Sequence, residues 1–255
     1  MSKSTYHQRV NAALKSIAII PVYGESDTIG AVLERFAPGY VDEICIVADK
    51  PGVVTLGTIE EARRQIRVPV TTIENPVRKG IGYAIRQGYK YALENGFELI
   101  VIMAGNGKDD PREIPRLTTP IIEEGYDYVQ GSRFLPGGRR EKNPFLRSIF
   151  TRVFPYVWSF MTGVRCTEVT NGFRAYKASI VEDSRINLWQ SWLDRYELEY
   201  YLHYKVLTLG YKFTERPVSK DYSAMKNRKY SHISPSKDWW QIVGPLLLLR
   251  LRVKK

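Results

Sequence analysis

The sequence predicts an α/β fold built on a doubly wound, mostly parallel sheet. Three observations carry this expectation. Short Ile- and Val-rich runs at residues 17–20, 44–47, 70–73, 99–103 and 126–130 have the length and unbroken apolarity of strands buried on both faces. Stretches with helical spacing lie between them, at 28–36, 58–66, 81–95 and 112–124. Strand and helix thus alternate as in successive βαβ units, where a crossover helix returns the chain to the same end of the sheet and makes neighbours parallel.

The elements carry local signals of their own. Thr58 with Glu61 reads as a capping box, and Gly96 stands where a left-handed residue ends the third helix. After about residue 143 the pattern changes to long, aromatic, Arg-punctuated helices, and residues 220–237 read as a polar, Lys- and Ser-rich loop. The expected division is residues 1–220 as one α/β domain and 221–255 as a polar loop with an amphipathic helix suited to a membrane surface.

Composition narrows the partners. At 255 residues, 44% hydrophobic and 25% charged, the chain can bury one large core with an appendage. A net charge of +11 calls for an anionic partner: nucleic acid, an anionic membrane or a phosphorylated small molecule. No nucleic-acid-binding module accompanies the charge, which argues against that partner. Two cysteines, Cys45 in an apolar run and Cys166, provide no disulfide framework and fit a reducing compartment. No apolar stretch precedes residues 16–20, so no signal peptide is expected, and no run reaches the roughly 18 apolar residues of a spanning helix. His/Cys clusters with zinc spacing, a P-loop lysine and a Gly-x-Ser-x-Gly motif are all missing, and no organic cofactor is expected.

Sheets of this kind bind ligands beyond the carboxyl ends of their strands. Those ends read Pro21-Val22-Tyr23-Gly24-Glu25, then Asp49, then Arg78-Lys79-Gly80-Ile81-Gly82, then Asp110-Pro111, then Gly131-Ser132-Arg133-Phe134, with Glu168-Val169-Thr170-Asn171-Gly172-Phe173-Arg174 further on. This ordered series resembles the family 2 glycosyltransferases of GT-A fold, most closely their dolichyl-phosphate mannose synthase-like branch, over roughly residues 16–220. The resemblance implies a sugar moved from a nucleotide-sugar donor, with inversion, to a polyprenyl phosphate or a lipid-linked saccharide. It implies that Pro21, Tyr23, Glu25 and Asp49 hold base and ribose, and that Arg78 and Lys79 face the nucleotide. Ser132 and Arg133, with Arg147 and Thr151 one helical turn apart, would support the acceptor phosphate. Arg174 closes the family's Asp-x-Thr-Ser-Gly-Phe-Arg motif, here with Glu168 for Asp and Asn171 for Ser.

The loop after the fourth strand departs from the pattern. Relatives usually read Met-Asp-x-Asp-x-Gln-His-x-Pro and hold Mg²⁺ or Mn²⁺ on the two Asp and the Gln. Here the loop is Met103-Ala104-Gly105-Asn106-Gly107-Lys108-Asp109-Asp110-Pro111, with Ala104, Asn106 and Lys108 at the three ligand positions. Three readings stay open. Lys108, with Asn106, serves the donor diphosphate in place of the metal; Asp109 or Asp110 takes over metal binding and catalysis; or the fold only binds nucleotide or lipid.

The acceptor sets the need for a base. A phosphate acceptor is largely ionised near neutral pH, with a second pKa of about 6, whereas a saccharide hydroxyl needs a carboxylate, for which Asp194 and Glu197 are the candidates. Residues 153–164, flanked by Arg147, Arg152 and Arg165, and the cationic C-terminus fit an anionic bilayer surface. The expected location is cytoplasmic, peripheral at the inner face of the cell membrane, and self-association is compatible with it.

Overall fold

A computed structural model describes residues 14–140, 145–221, 239–251, 253 and 254. The first half is the expected alternation: β1 (Ser16–Val22), α1 (Ile29–Leu33), β2 (Glu43–Asp49), α2 (Val53–Gln65), β3 (Val70–Asn75), α3 (Ile81–Glu94), β4 (Leu99–Ile102), α4 (Ile114–Ile122) and β5 (Tyr128–Ser132). There follow β6 (Arg139–Arg140), α5 (Phe145–Thr162), β7 (Arg174–Lys177), α6 (Ser179–Glu182), α7 (Glu197–Thr208), β8 (Phe213–Pro217), β9 (Ser219–Lys220) and α8 (Trp239–Arg250). Seven strands form one sheet in the order β3-β2-β1-β4-β7-β5-β8, and β6 pairs with β9 in a separate ribbon. All pairs are parallel except those of β7, which runs antiparallel between β4 and β5.

Alternation along the strands sorts the core into two layers. Ile17, Ile19, Cys45, Val47, Ile100 and Ile102 face one side, against Ala84, Ile85 and Tyr89 of α3 and Leu198, Tyr201 and Leu202 of α7. Ala18, Ile20, Ile44, Ile46, Leu99 and Val101 face the other, against α1, α2 and α4. Both cysteines are buried thiols, pushed up to about 12 chiefly by burial. A third cluster joins Phe154 and Trp158 of α5 to Tyr200 and Leu207 of α7 and Leu246 of α8. The C-terminal helix is thereby packed onto the rest of the molecule, with Leu246 and Leu249 buried and Trp240 exposed. Of the polar loop read at 220–237, only Lys220 and Asp221 are among the described residues.

One helix boundary differs from expectation for a local reason and another matches it. Helix α2 begins at Val53 with Gly52 as its N-cap, so Thr58 lies in the helix interior. Its hydroxyl donates to the Val54 carbonyl at 3.0 Å, one turn back, and the Thr58–Glu61 pair caps nothing. At the end of α3, Gly96 has φ +67°, the left-handed stop that its position predicts.

The centre of the β7 side is polar and closed. The Arg174 guanidinium is buried and donates to the Tyr128 hydroxyl at 2.9 Å, the Glu199 carbonyl at 3.1 Å and the Asn171 carbonyl at 2.7 Å. His203, fully buried on α7, sits 3.3 Å from that same Tyr128 hydroxyl. Burial, reinforced by the Arg174 charge, holds its imidazole well below its usual pKa. The unfolded chain then binds a proton near pH 6.5 that the folded chain refuses, so stability is full above that pH and falls as pH drops below it. Between pH 6.5 and 5 this amounts to about 2 kcal/mol. His203→Gln is expected to lose that much less stability over the same window, measured by urea unfolding at the two pH values; equal losses in both proteins would refute the assignment.

Candidate active site

Six of the seven residues expected at the donor converge. Pro21, Tyr23 and Glu25 beyond β1, Asp49 at the end of β2, and Arg78 and Lys79 before α3 line one cleft of about 290 Å³. It opens at the carboxyl edge of the sheet, as the doubly wound topology requires. Arg78 lies 4.0 Å over the Tyr23 ring and Lys79 lies 4.8 Å over the Tyr83 ring. The Glu25 carboxylate accepts the Tyr23 N–H. Asp49, almost fully buried, accepts the backbone N–H of Lys79 at 3.0 Å and of Gly80 at 2.9 Å. Its carboxylate thus ties β2 to the start of α3, a use that the ribose-binding expectation did not contain.

Four further residues line the cleft without having been singled out from the sequence: Ala84, Arg195, Tyr196 and Gln241. Arg195 and Tyr196 come from the segment before α7, which is welded to the first turn of α3. The Tyr83 N–H donates to the Asp194 carbonyl at 3.0 Å. Arg86 reaches the Leu188 carbonyl at 3.2 Å, the Gln190 carbonyl at 3.0 Å and the Asp194 carboxylate. Gly80 and Gly82 permit this approach, since a Cβ on either would overlap the carbonyl oxygens of residues 193–195. The glycine pair was a signal of close backbone approach, but nothing in the sequence says what approaches. Gln241 arrives from α8, far along the chain, and left no sequence signal.

The loop after β4 is closed on itself. Gly105 is pressed against Val22, Ile29 and Ile20, and the Thr28 hydroxyl donates to its carbonyl at 3.1 Å, which sets this loop beside the Pro21–Glu25 turn. Asn106 accepts the Lys108 N–H at 3.2 Å, and the Lys108 carbonyl accepts the Asp221 N–H at 3.0 Å. Lys108 is buried, and neither it nor Asn106 lines the cleft in which the other six meet, which corrects their expected place there.

The metal expectation at Asp109 or Asp110 is also corrected. Asp109 is fully buried: one oxygen accepts the Ala104 N–H at 3.1 Å, and the other meets the Lys220 ammonium at 2.6 Å. Asp110 caps the short turn at 111–113 and is gripped by the Arg112 guanidinium at 2.5–3.0 Å. Burial opposes the Asp110 charge, yet the Arg112 hydrogen bonds outweigh it and hold the carboxyl below its ordinary pKa. Both acids therefore have fixed cations already, and among the described residues no group of three or more His, Cys, Asp or Glu could hold a metal ion. Hard divalent cations need several converging oxygens, and these residues do not fit one.

The expected acceptor residues divide. Ser132 is fully buried, sharing a hydrogen bond with Thr167 at 2.7 Å and accepting the Phe134 N–H at 3.2 Å, so it shapes the turn rather than facing a ligand. Arg133 forms a buried ion pair with Glu168 at 2.7 Å and donates to Thr170 at 2.8 Å, binding its motif to the Glu168–Arg174 motif. Asn171 continues the stitch to the Gly131 carbonyl at 2.9 Å. Arg174 belongs to the core, and its acceptor role is corrected by the four partners it already has there. Thr151 is buried on α5, and the Arg147 side chain lies outside the described residues.

Of the two candidate bases, Asp194 is held by Arg86. Glu197 is half-buried, one of its oxygens has no hydrogen-bond partner among the described residues, and burial raises its pKa.

Comparisons with known proteins agree with this geometry. The undecaprenyl-phosphate mannosyltransferase of Micrococcus luteus is 25% identical over 206 residues, covering 81% of this chain and 83% of the relative. The polyprenol monophosphomannose synthase of Mycolicibacterium smegmatis is 24% identical over 211 residues, covering 82% and 78%. Among solved structures, glucosyl-3-phosphoglycerate synthase from Mycobacterium tuberculosis, in complex with Mn²⁺, UDP and glucosyl-3-phosphoglycerate, superposes with a TM-score of 0.65 at 16% identity, over 96% of this chain and 83% of that one. The same enzyme has been crystallised with Mg²⁺ and UDP. At that identity the likeness is one of fold. The family profile described as "Glycosyl transferase family 2" matches residues 17–185. With its sheet of GT-A type and that profile over residues 17–185, the chain belongs to glycosyl transferase family 2.

Proposed function

We propose that this glycosyltransferase moves a sugar from a nucleotide-sugar donor to a polyprenyl phosphate by single displacement with inversion. The observation that carries the reading is the cleft in which Tyr23, Glu25, Asp49, Arg78 and Lys79 meet. Relatives named for undecaprenyl-phosphate and polyprenol mannosyl transfer supply the acceptor class. In the reaction, an acceptor phosphate oxygen attacks the anomeric carbon as the bond from that carbon to the nucleoside diphosphate breaks, and the diphosphate departs with the electron pair.

The state of the carboxylates favours a phosphate over a saccharide hydroxyl as nucleophile. An ionised phosphate has no proton to give up, whereas a hydroxyl needs a free base within reach. Asp194 is already paired with Arg86. Transfer to a lipid-linked saccharide would then fall to Glu197. The expected result is glycosyl transfer from at least one of UDP-, GDP- or dTDP-hexose to a short polyprenyl phosphate, with Glu197→Gln retaining activity to within about threefold, since no proton transfer is required of it. Loss of about a hundredfold or more in that variant would move the acceptor to a hydroxyl, by the size of a general-base contribution. Absence of both transfer and donor hydrolysis would favour a silent binding relative.

The acceptor headgroup lies at a bilayer, and α5 offers a face to one. Val153, Tyr156, Val157 and Phe160 recur at helical spacing and are exposed, Phe160 by 90%. Arg152 and Arg165 flank them and are exposed as well. None of the described helices is long and apolar enough to cross a membrane. In this reading the protein sits at the inner face of the cell membrane with α5 against anionic lipid. Flotation with phosphatidylglycerol-containing vesicles is expected to carry the protein, and Phe160→Glu to weaken binding about tenfold, from the loss of one buried aromatic side chain. Undiminished flotation of that variant would remove α5 from the interface.

A further inference from the structure

A departing nucleoside diphosphate gains negative charge as its bond to the sugar breaks, and a cation must meet it. At the end of β4 this chain has no carboxylate free to hold a metal for that purpose: Asp109 is sealed against Lys220 and Asp110 against Arg112. Cations do line the cleft itself. Arg78, Lys79 and Arg195 face it beside Glu25 and Asp49, and both of those carboxylates already accept backbone N–H groups.

Arg195 differs from the other two. Arg78 and Lys79 rest on the Tyr23 and Tyr83 rings. Arg195 is exposed, and among the described residues its guanidinium enters no ion pair, because the neighbouring Asp194 is taken by Arg86. Its backbone is nevertheless fixed. The Gly80 and Gly82 approach, the Tyr83 N–H bond to Asp194 and the three Arg86 bonds hold residues 188–195 against α3. With the backbone already fixed, only the side chain's own rotamers remain to be ordered on binding, and its planar fork matches the paired oxygens of a diphosphate.

We propose that this chain binds its donor's diphosphate without a divalent cation, and that Arg195, with Arg78 and Lys79, supplies the positive charge. The inference rests on the reading of the cleft as the nucleotide-sugar site. Calorimetric titrations with UDP, GDP, uridine and guanosine, each in EDTA and again in excess Mn²⁺, separate the two claims. Nucleoside binding tests the cleft, and the additional affinity of the diphosphate tests the cation. The better of the two diphosphates is expected to bind in EDTA, with Mn²⁺ tightening it by less than about threefold. Arg195→Gln is expected to weaken it about tenfold, the size of a lost charge-assisted hydrogen bond, and to leave the matching nucleoside within about twofold. Arg195→Lys should restore part of the loss. Diphosphate binding that appears only with Mn²⁺, or an Arg195→Gln variant that loses nucleoside and diphosphate equally or loses neither, would overturn the inference. If no nucleoside or diphosphate binds under either condition, the cleft reading falls and takes the inference with it.

Discussion

One buried cation organises the half of the molecule that the strand–helix alternation does not explain. Arg174 ends its motif at the first residue of β7, which among the described strands of the large sheet alone runs against its neighbours. Its guanidinium bonds Tyr128 of β5, the carbonyl of Asn171 and the carbonyl of Glu199 on α7, with the Glu199 carboxylate at 3.4 Å. A buried charge is tolerable only when its hydrogen-bonding capacity is met on several sides, and breaking such a set leaves an uncompensated ion. The set specifies where β7 enters between β4 and β5 and how α7 lies over it. Residues 193–196, which lead into α7, are positioned over the cleft as a result.

Much of this was legible in the chain and some was not. The five apolar runs became β1 to β5 because fully buried parallel strands write an unmistakable pattern, and Gly96 ended α3 because only a residue tolerant of positive φ fits there. The start of α2 was misread because a Thr-x-x-Glu pair is also an ordinary helical surface, and Gly52 in extended conformation served as the cap. Of the site, Tyr23, Glu25, Asp49, Arg78 and Lys79 could be named because each stands directly beyond a strand or before a helix. Arg195 and Gln241 could not, since what brings them in is tertiary: two glycines that admit a backbone, and a C-terminal helix that folds back.

The acidic residues show why motif position alone misassigns roles. Asp109, Asp110, Glu168 and Asp194 sit in or near signature stretches, and every one is matched to a fixed cation: Lys220, Arg112, Arg133 and Arg86. A carboxylate so matched contributes to the shape of the site and has little charge left for a ligand.

The manner in which residues 219–221 close the loop after β4 bears on when the site can exist during synthesis. Asp109 meets Lys220, the Lys108 carbonyl meets the Asp221 N–H, and Glu113 accepts the Ser219 N–H at 2.8 Å. These partners are separated by more than a hundred positions along the chain, and contacts of that span form late because the intervening loop must be ordered first. A nascent chain that has already emitted β1 to β5 carries every strand-end motif of the first half with its β4 loop still open. The ribosome must deliver β9 before that loop can be fastened, so the β4 loop takes its final geometry only after the strands that flank it have long been made.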